Sequence, residues 1–323
     1  MQNHFERIGY AGSLEELARG VCAAYDLGRF KSCSLVEVGY EDFNFSLVTN
    51  EGGCFVKVFA DFRTLEECRR YLEVVDRAGA AGVATPRLIK RPRDGLGLLQ
   101  VGAKLLRFCV LELVDGDNLL ALQYRPGPGE LEFLGGQAAL IASIELKPPW
   151  TYDSWAVVNF PKEFGEKGGF LQEEERALLQ SLVDEFTGLE IEKLPHCFVH
   201  GDLIATNVLR DRAGQLWIVD FAVSNYYPRI QELAVLGCNL CFDSLSREKS
   251  AANVQLVLNE YQLRSPLTSR EAAVLPRYVE FAHAMHVLRA NYEKVANGNS
   301  SAENEYWLNQ GRLGLKQGGL QSQ

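Results

Sequence analysis

An Asp and an Asn stand five residues apart in His200-Gly201-Asp202-Leu203-Ile204-Ala205-Thr206-Asn207, and Ile218-Val219-Asp220-Phe221 follows closely. No other feature restricts the fold of this chain as much. The short apolar run Cys197-Phe198-Val199 leads into the first segment as a strand. Asp211-Arg212-Ala213-Gly214, between Val208–Arg210 and Gln215–Val219, reads as the turn of a β-hairpin. Strand, tight loop and hairpin together deliver three oxygen-bearing side chains in a set order. Asp202 can accept the proton of a hydroxyl. Asn207 and Asp220 offer hard oxygen ligands of the kind that hold a divalent cation against phosphates. Either segment alone is equally well read as a turn after a buried strand, but the pair in this order and at this separation matches the inventory of phosphoryl transfer.

The same residues, His200-Gly201-Asp202-Leu203 through Asn207 with Val219-Asp220-Phe221, resemble the aminoglycoside phosphotransferase/choline kinase family of small-molecule kinases. The resemblance implies an α+β, two-lobed protein-kinase-like fold. Its small antiparallel-sheet N-lobe would occupy residues 1–112 and its larger helical C-lobe residues 113–323. It also implies ATP and Mg²⁺ as cofactors, with Asp202 as base and Asn207 and Asp220 on the metal. Gly201 stands where protein kinases carry an Arg that grips the phosphorylated activation loop. About ten residues separate Asp220 from the helix expected near Gln231, and no Ala-Pro-Glu follows. Both departures point to a small acceptor instead of a protein.

With 323 residues, 47% of them hydrophobic and 23% charged, the chain can bury two cores. It has no run of eighteen apolar residues, and Met1-Gln2-Asn3-His4-Phe5-Glu6-Arg7 lacks the apolar core of a signal peptide. The eight cysteines follow no framework spacing, and Cys238-Asn239-Leu240-Cys241 sits in an apolar helical run that reads as core. Location in the cytoplasm is the expectation, with no membrane or nucleic-acid partner, as a monomer or homodimer. Up to Glu112 the chain carries 15 basic and 15 acidic side chains, and the remainder carries 18 and 27. The whole negative excess therefore falls in the second part. It either draws a cationic acceptor or keeps the surface solvated.

In the first part, Ser13-Leu14-Glu15-Glu16 fits a capping box opening a helix to about Tyr25. Cys33–Val38, Phe43–Thr49 and Cys54–Phe59 read as strands, with Asn50-Glu51-Gly52-Gly53 as a hairpin turn. Arg87–Lys90 and Leu105–Val110 complete an expected five-stranded sheet. Gly39-Tyr40-Glu41-Asp42 joins the first two strands. The resemblance makes this turn, with Gly39, a cover for the phosphates, and places Asn44 at a family Asn. Lys57, in Phe55-Val56-Lys57-Val58-Phe59, is either an edge charge or, by resemblance, the Lys that holds the α- and β-phosphates. In the second case it pairs with a carboxylate of the next helix, Thr64–Ala78, for which Glu67 and Glu66 compete. Leu111-Glu112-Leu113-Val114-Asp115-Gly116 corresponds to the family's hinge, where the carbonyl of Glu112 and the amide of Val114 meet adenine.

Apolar residues at three- and four-residue spacing mark helices over Glu130–Leu146, Leu171–Phe186, Ile230–Asp243, Ser246–Tyr261 and Ser269–Asn297. The aromatic stretch with Trp150, Tyr152, Trp155, Phe160 and Phe164 is either a lid or a loop packed on the lobe, and the tail after Gly314 reads as disordered. From Val219-Asp220-Phe221 through Glu232-Leu233-Ala234, Asn239-Leu240-Cys241-Phe242, Tyr261, Arg264, Pro266-Leu267 and Glu271, the chain resembles bacterial homoserine kinases. Glu232 replaces their usual Asp, and Ala282-His283-Ala284-Met285-His286 contains no Arg for an acceptor carboxylate. The implied acceptor is a small amine-bearing molecule with a hydroxyl: a homoserine-like amino alcohol, then an aminoglycoside or sugar. A nucleotide-binding protein without turnover and a protein kinase are the alternatives.

Overall fold

The computed structural model describes residues 4–36, 42–89 and 94–318. They form two compact units. One comprises the described residues through Asn118 together with Leu209–Val219; the other comprises Leu119–Val208 and the residues from Asp220 onward.

The first unit opens with α1 (Leu14–Tyr25), whose N-cap Ser13 and Glu16 form the expected capping box. Five antiparallel strands follow: β1 (Phe30–Val36), β2 (Phe43–Thr49), β3 (Gly53–Val58), β4 (Gly97–Val101) and β5 (Lys104–Glu112), in the order β1-β2-β3-β5-β4. Strand alternation decides what each face of this sheet does. Phe43, Phe45, Leu47, Val56, Val58, Phe108 and Val110 turn to α1 and pack on Leu17, Val21 and Tyr25. Burying a side chain of this size contributes about 1.5–3 kcal/mol each. Tyr25 reaches through this core so that its hydroxyl donates to Ile89 O (2.6 Å) and Gly95 O (2.8 Å). Lys57, between Val56 and Val58, must point the other way, toward α2 (Leu65–Ala80), where Tyr71 lies with its ring 5.2 Å from Lys57 Nζ.

The sheet has the expected five strands but not the expected members. Leu88 makes a single bridge to Leu111 in place of a strand over residues 87–90, and Lys90 lies outside the described residues. The fifth strand is β4, which pairs with β5 across a two-residue turn at Gly102-Ala103. The unit is completed by β6 (Gly116–Asn118), paired with the second of the next strands in the chain, β7 (His196–Val199), β8 (Val208–Asp211) and β9 (Leu216–Ile218). Asp211 closes the β8–β9 turn by accepting from Ala213 N, Gln215 N and Trp217 Nε1 at 2.9–3.0 Å.

In the second unit, β7 pairs with β10 (Asn225–Pro228). Around this ribbon stand α3 (Pro128–Ala142), α4 (Phe160–Lys167), α5 (Glu173–Gly188), α6 (Ile230–Cys238), α7 (Arg247–Gln262), α8 (Ser269–Ala296) and α9 (Ala302–Lys316). The helix α4 lies inside the aromatic stretch and buries Phe160 and Phe164, with the Phe160 ring 6.2 Å from Phe281. Helix α9 carries the chain two residues past Gly314, to Lys316, and the rest of the tail expected to be disordered lies, after Gly318, outside the described residues. A Cβ on Gly314 would sit 2.1 Å from His283 Nδ1, and one on Gly311 would sit 2.7 Å from His283 O. The small residues let α9 lie directly on α8. No helix among the described residues is long and apolar enough to cross a membrane.

Sandwiched in this way, His283 and His286 are held neutral. Burial pushes the His283 imidazole down to about 3, helped by His286, and pushes His286 down to about 4. An unfolded His titrates near 6.5, so the stabilisation is complete above that pH and is lost as pH falls toward the folded values. His283→Leu removes this dependence. Its stability deficit relative to the parent, measured by urea unfolding, should therefore shrink by about 2 kcal/mol between pH 8 and pH 5. A deficit independent of pH would contradict the buried neutral imidazole.

Candidate active site

The segment after β7 folds into a loop that its own side chains close. His200 is fully buried, its ring 4.5 Å from that of Phe221, and its Nδ1 accepts from Asp202 N (3.2 Å). Gly201 has φ +86°, a conformation open to Gly but strained for an L side chain, which gives this position a backbone reason to lack the Arg. Ile204 N donates to Asp202 O (3.0 Å) and Asn207 N to Ile204 O (2.9 Å). Asn207 Nδ2 then donates to both Asp202 O (2.9 Å) and Asp202 Oδ2 (2.7 Å). These bonds commit the amide nitrogen of Asn207 and not its oxygen.

Helix α6 braces the loop from behind. Gly201 N donates to Glu232 Oε2 (3.0 Å), and Ala205 N donates to Asn239 Oδ1 (3.0 Å). Glu232 lies in the first turn of α6 and Asn239 is its C-cap, so the two ends of the helix meet the loop. The seven-residue spacing was readable, although no role for either residue was drawn from it. Behind Asn239, Gln310 Nε2 of α9 donates to Cys238 O (2.9 Å) and Asn239 O (3.2 Å). Burial pushes the Glu232 carboxyl up to about 7 against the bonds from Gly201 and His200.

Asp202 keeps partial access to solvent yet lies deep in the unit. Burial pushes its carboxyl up to about 8, and the charges of Asp153 and Asp220 push the same way, against the bond from Asn207. Glu303 adds a smaller push. Asp220 has φ +64°, which is uncommon outside Gly but tolerated by Asp. Asp153, buried at the start of the aromatic stretch with Oδ1 accepting from Trp155 N (2.8 Å), was not foreseen, and nothing in its spacing marks it. Arg289 comes near Trp155, with its guanidinium carbon 5.6 Å from the ring, but its terminal nitrogens contact Glu163 (3.2 Å) and Glu293 (3.0 Å).

In the first unit, Lys57 is buried and forms an ion pair with Asp42 at 3.1 Å. The expected pairing with Glu67 is replaced. Glu67 Oε2 instead accepts from Thr64 N (2.6 Å) and Thr64 Oγ1 (2.9 Å), the capping box of α2. Glu66 is exposed. Asn44 lies opposite Lys57 in the β2–β3 register, and its buried Oδ1 has no hydrogen-bond partner among the described residues. Gly39 lies outside the described residues. At the expected hinge, Glu112 turns its carboxylate to Arg87 (2.7 Å), and the carbonyl of Val114 accepts from Gly116 N (3.0 Å). A recess of about 550 Å³ flanks Glu112–Asp115, lined also by Pro86, Ile89 and Trp217.

The model of the phosphotransferase enzyme family matches residues 32–273, which takes in Lys57, Asp202, Asn207 and Asp220. The chain is 25% identical over 281 residues to a homoserine kinase from Paramagnetospirillum magneticum, covering 84% of each chain. It is also similar to the solved structure of an amicoumacin kinase in complex with AMP-PNP and Ca²⁺, with a TM-score of 0.70 at 13% identity over 98% of this chain and 96% of that one. A microcompartment-associated aminopropanol kinase gives a TM-score of 0.68 at 15% identity, over 95% and 99%. The fold is therefore kinase-like, and the chain belongs to the phosphotransferase enzyme family of small-molecule kinases.

Proposed function

We propose that the chain transfers the γ-phosphoryl group of Mg·ATP to the hydroxyl of a small amine-bearing molecule, with homoserine-like amino alcohols first among acceptors. The observation that carries this reading is the closed Asp202–Asn207 loop. It holds a largely buried carboxyl at hydrogen-bond distance from the amide nitrogen of Asn207, whose oxygen makes no hydrogen bond among the described residues. In this reading Asp202 orients the acceptor hydroxyl and takes its proton. Its raised pKa makes it a stronger base than an ordinary Asp once ionised.

The donor chemistry fits Mg²⁺: Asn207 Oδ1 and the Asp220 carboxylate are hard oxygen ligands, and Mg²⁺ takes one or two of these plus phosphate oxygens. Such an ion would neutralise charge on the transferring phosphoryl group. On the first unit, Lys57 would contact the α- and β-phosphates, with Asn44 beside it in the register. The carbonyl of Glu112 and the amide of Val114 would meet the adenine edge. Support for a cationic acceptor comes from Asp153, Asp220 and Glu303, whose charges all bear on Asp202. The 25% identity to a homoserine kinase supports assaying homoserine-like amino alcohols first. Arg289, tied to Glu163 and Glu293, gives no ready anchor for a carboxylate, so amino alcohols without one belong in the same assay.

Asp202→Asn should lower turnover by about 10²–10⁴-fold with the best acceptor while changing the calorimetric affinity for Mg·AMP-PNP only a few-fold. Unchanged turnover would remove Asp202 as the base, and collapsed nucleotide binding in a folded variant would make it a metal ligand.

Asp153→Asn removes a like charge and should bring the Asp202 carboxyl, followed by ¹³C NMR without metal, down from about 8. An unmoved titration would mean that Asp153 does not face Asp202.

A further inference from the structure

We propose that Asp42, rather than a carboxylate of helix α2, positions Lys57 for its contact with the phosphates; the inference rests on the nucleotide-binding reading above. Asp42 Oδ2 lies 3.1 Å from Lys57 Nζ, and both side chains are almost completely buried. The other carboxylate oxygen accepts from Arg63 Nε (2.8 Å) and Ala60 N (2.9 Å). Arg7 Nη1 donates to the Asp42 carbonyl at 3.3 Å. The Lys57 and Arg63 cations hold the Asp42 carboxyl below the usual carboxylate range despite its burial. It therefore stays charged, and a single negative charge is shared between two cations.

The helix cannot supply the same contact from Glu67. Both ends of the Thr64–Glu67 box are made: Glu67 Oε2 holds Thr64 N and Oγ1, and Thr64 Oγ1 accepts from Glu67 N at 3.2 Å. Moving Glu67 to Lys57 would uncap α2. Asp42 meets Lys57 through Oδ2 while its Oδ1 meets Arg63 and Ala60, so these contacts are made together. It stands immediately before β2, whose pairing with β3 sets Asn44 opposite Lys57. It is also the one described residue of the expected segment Gly39–Asp42, whose first three residues lie outside the described residues. One side chain thus joins the start of β2, the β3 lysine and the Ala60–Arg63 link that leads into α2. Within this arrangement Asp42 is a positioning residue: it touches Lys57, and Lys57 touches phosphate. The family resemblance pointed to the helix instead, and the geometry moves the role to another element.

The test separates phosphate recognition from adenosine recognition in the full chain. Mg·AMP-PNP and adenosine are titrated calorimetrically into the parent protein, Asp42→Asn and Glu67→Gln, with circular dichroism melts to verify folding. The parent should bind Mg·AMP-PNP more tightly than adenosine. Asp42→Asn should lose about 10- to 100-fold in Mg·AMP-PNP affinity, the scale of a charge-assisted contact, while its adenosine affinity stays within about twofold. A merely structural role for Asp42 would weaken both ligands together and overturn the proposal. Glu67→Gln keeps the cap, because Gln also serves in a capping box, and should bind both ligands as the parent does. If Asp42→Asn fails to fold, Glu67→Gln decides: loss of the AMP-PNP preference there returns the role to the helix, and retention supports Asp42. A preference for AMP-PNP that survives Asp42→Asn overturns the assignment of Asp42 alone. A parent protein that binds AMP-PNP no better than adenosine overturns the phosphate reading and this inference with it.

Discussion

Two hydrogen bonds from one amide nitrogen organise the candidate site. Asn207 Nδ2 reaches back five residues to the carbonyl and carboxylate of Asp202 and so closes the loop on the residue that most needs a partner. A carboxyl pushed up to about 8 by burial and like charges is costly to ionise unless a donor faces it. The amide meets that need and is oriented by doing so, which leaves its oxygen to other use. In the proposed roles, the base and one metal ligand are thus oriented by the same contact, and Asp202→Asn retains an acceptor for the Asn207 amide.

The loop is held in this shape by layers behind it. Gly201 supplies the left-handed backbone, Glu232 takes its amide, and Asn239 takes that of Ala205. Gln310 then supports the carbonyl of Asn239 from α9, which reaches this position because Gly311 and Gly314 let it lie against α8. A helix remote in sequence is therefore part of what stiffens the Asp202–Asn207 loop. Buried polar contacts of this kind are costly when broken and serve geometry more than net stability.

The local signals in the sequence were read well where one physical cause dominated. The Asp211–Gly214 turn, the Ser13–Glu16 cap and the long α8 each follow from turn chemistry, capping or helical spacing, and the structure shows all three. Glu67 was misread because two signals overlap there. Its position in Thr64-Leu65-Glu66-Glu67 has the same capping-box spacing as Ser13–Glu16, and the local bonds win over a distant lysine. Helix α9 was missed because its buried face includes Asn304, Gln310, Gly311 and Gly314, so no continuous apolar stripe announces it. Strand β4 was missed because it is an edge strand with alternate residues exposed, following the Asp94-Gly95 turn. Asp42 and Asp153 derive their importance from contacts across long sequence separations, which no spacing rule reveals.

The central claim is that Asn207 and Asp220 together hold the metal that accompanies the nucleotide. A crystal structure of the chain with Mg²⁺ and AMP-PNP tests it most directly. The account predicts an ion bound by Asn207 Oδ1, the Asp220 carboxylate and phosphate oxygens, at the 2.0–2.1 Å typical of Mg²⁺. A bound nucleotide whose metal touches neither side chain would contradict it.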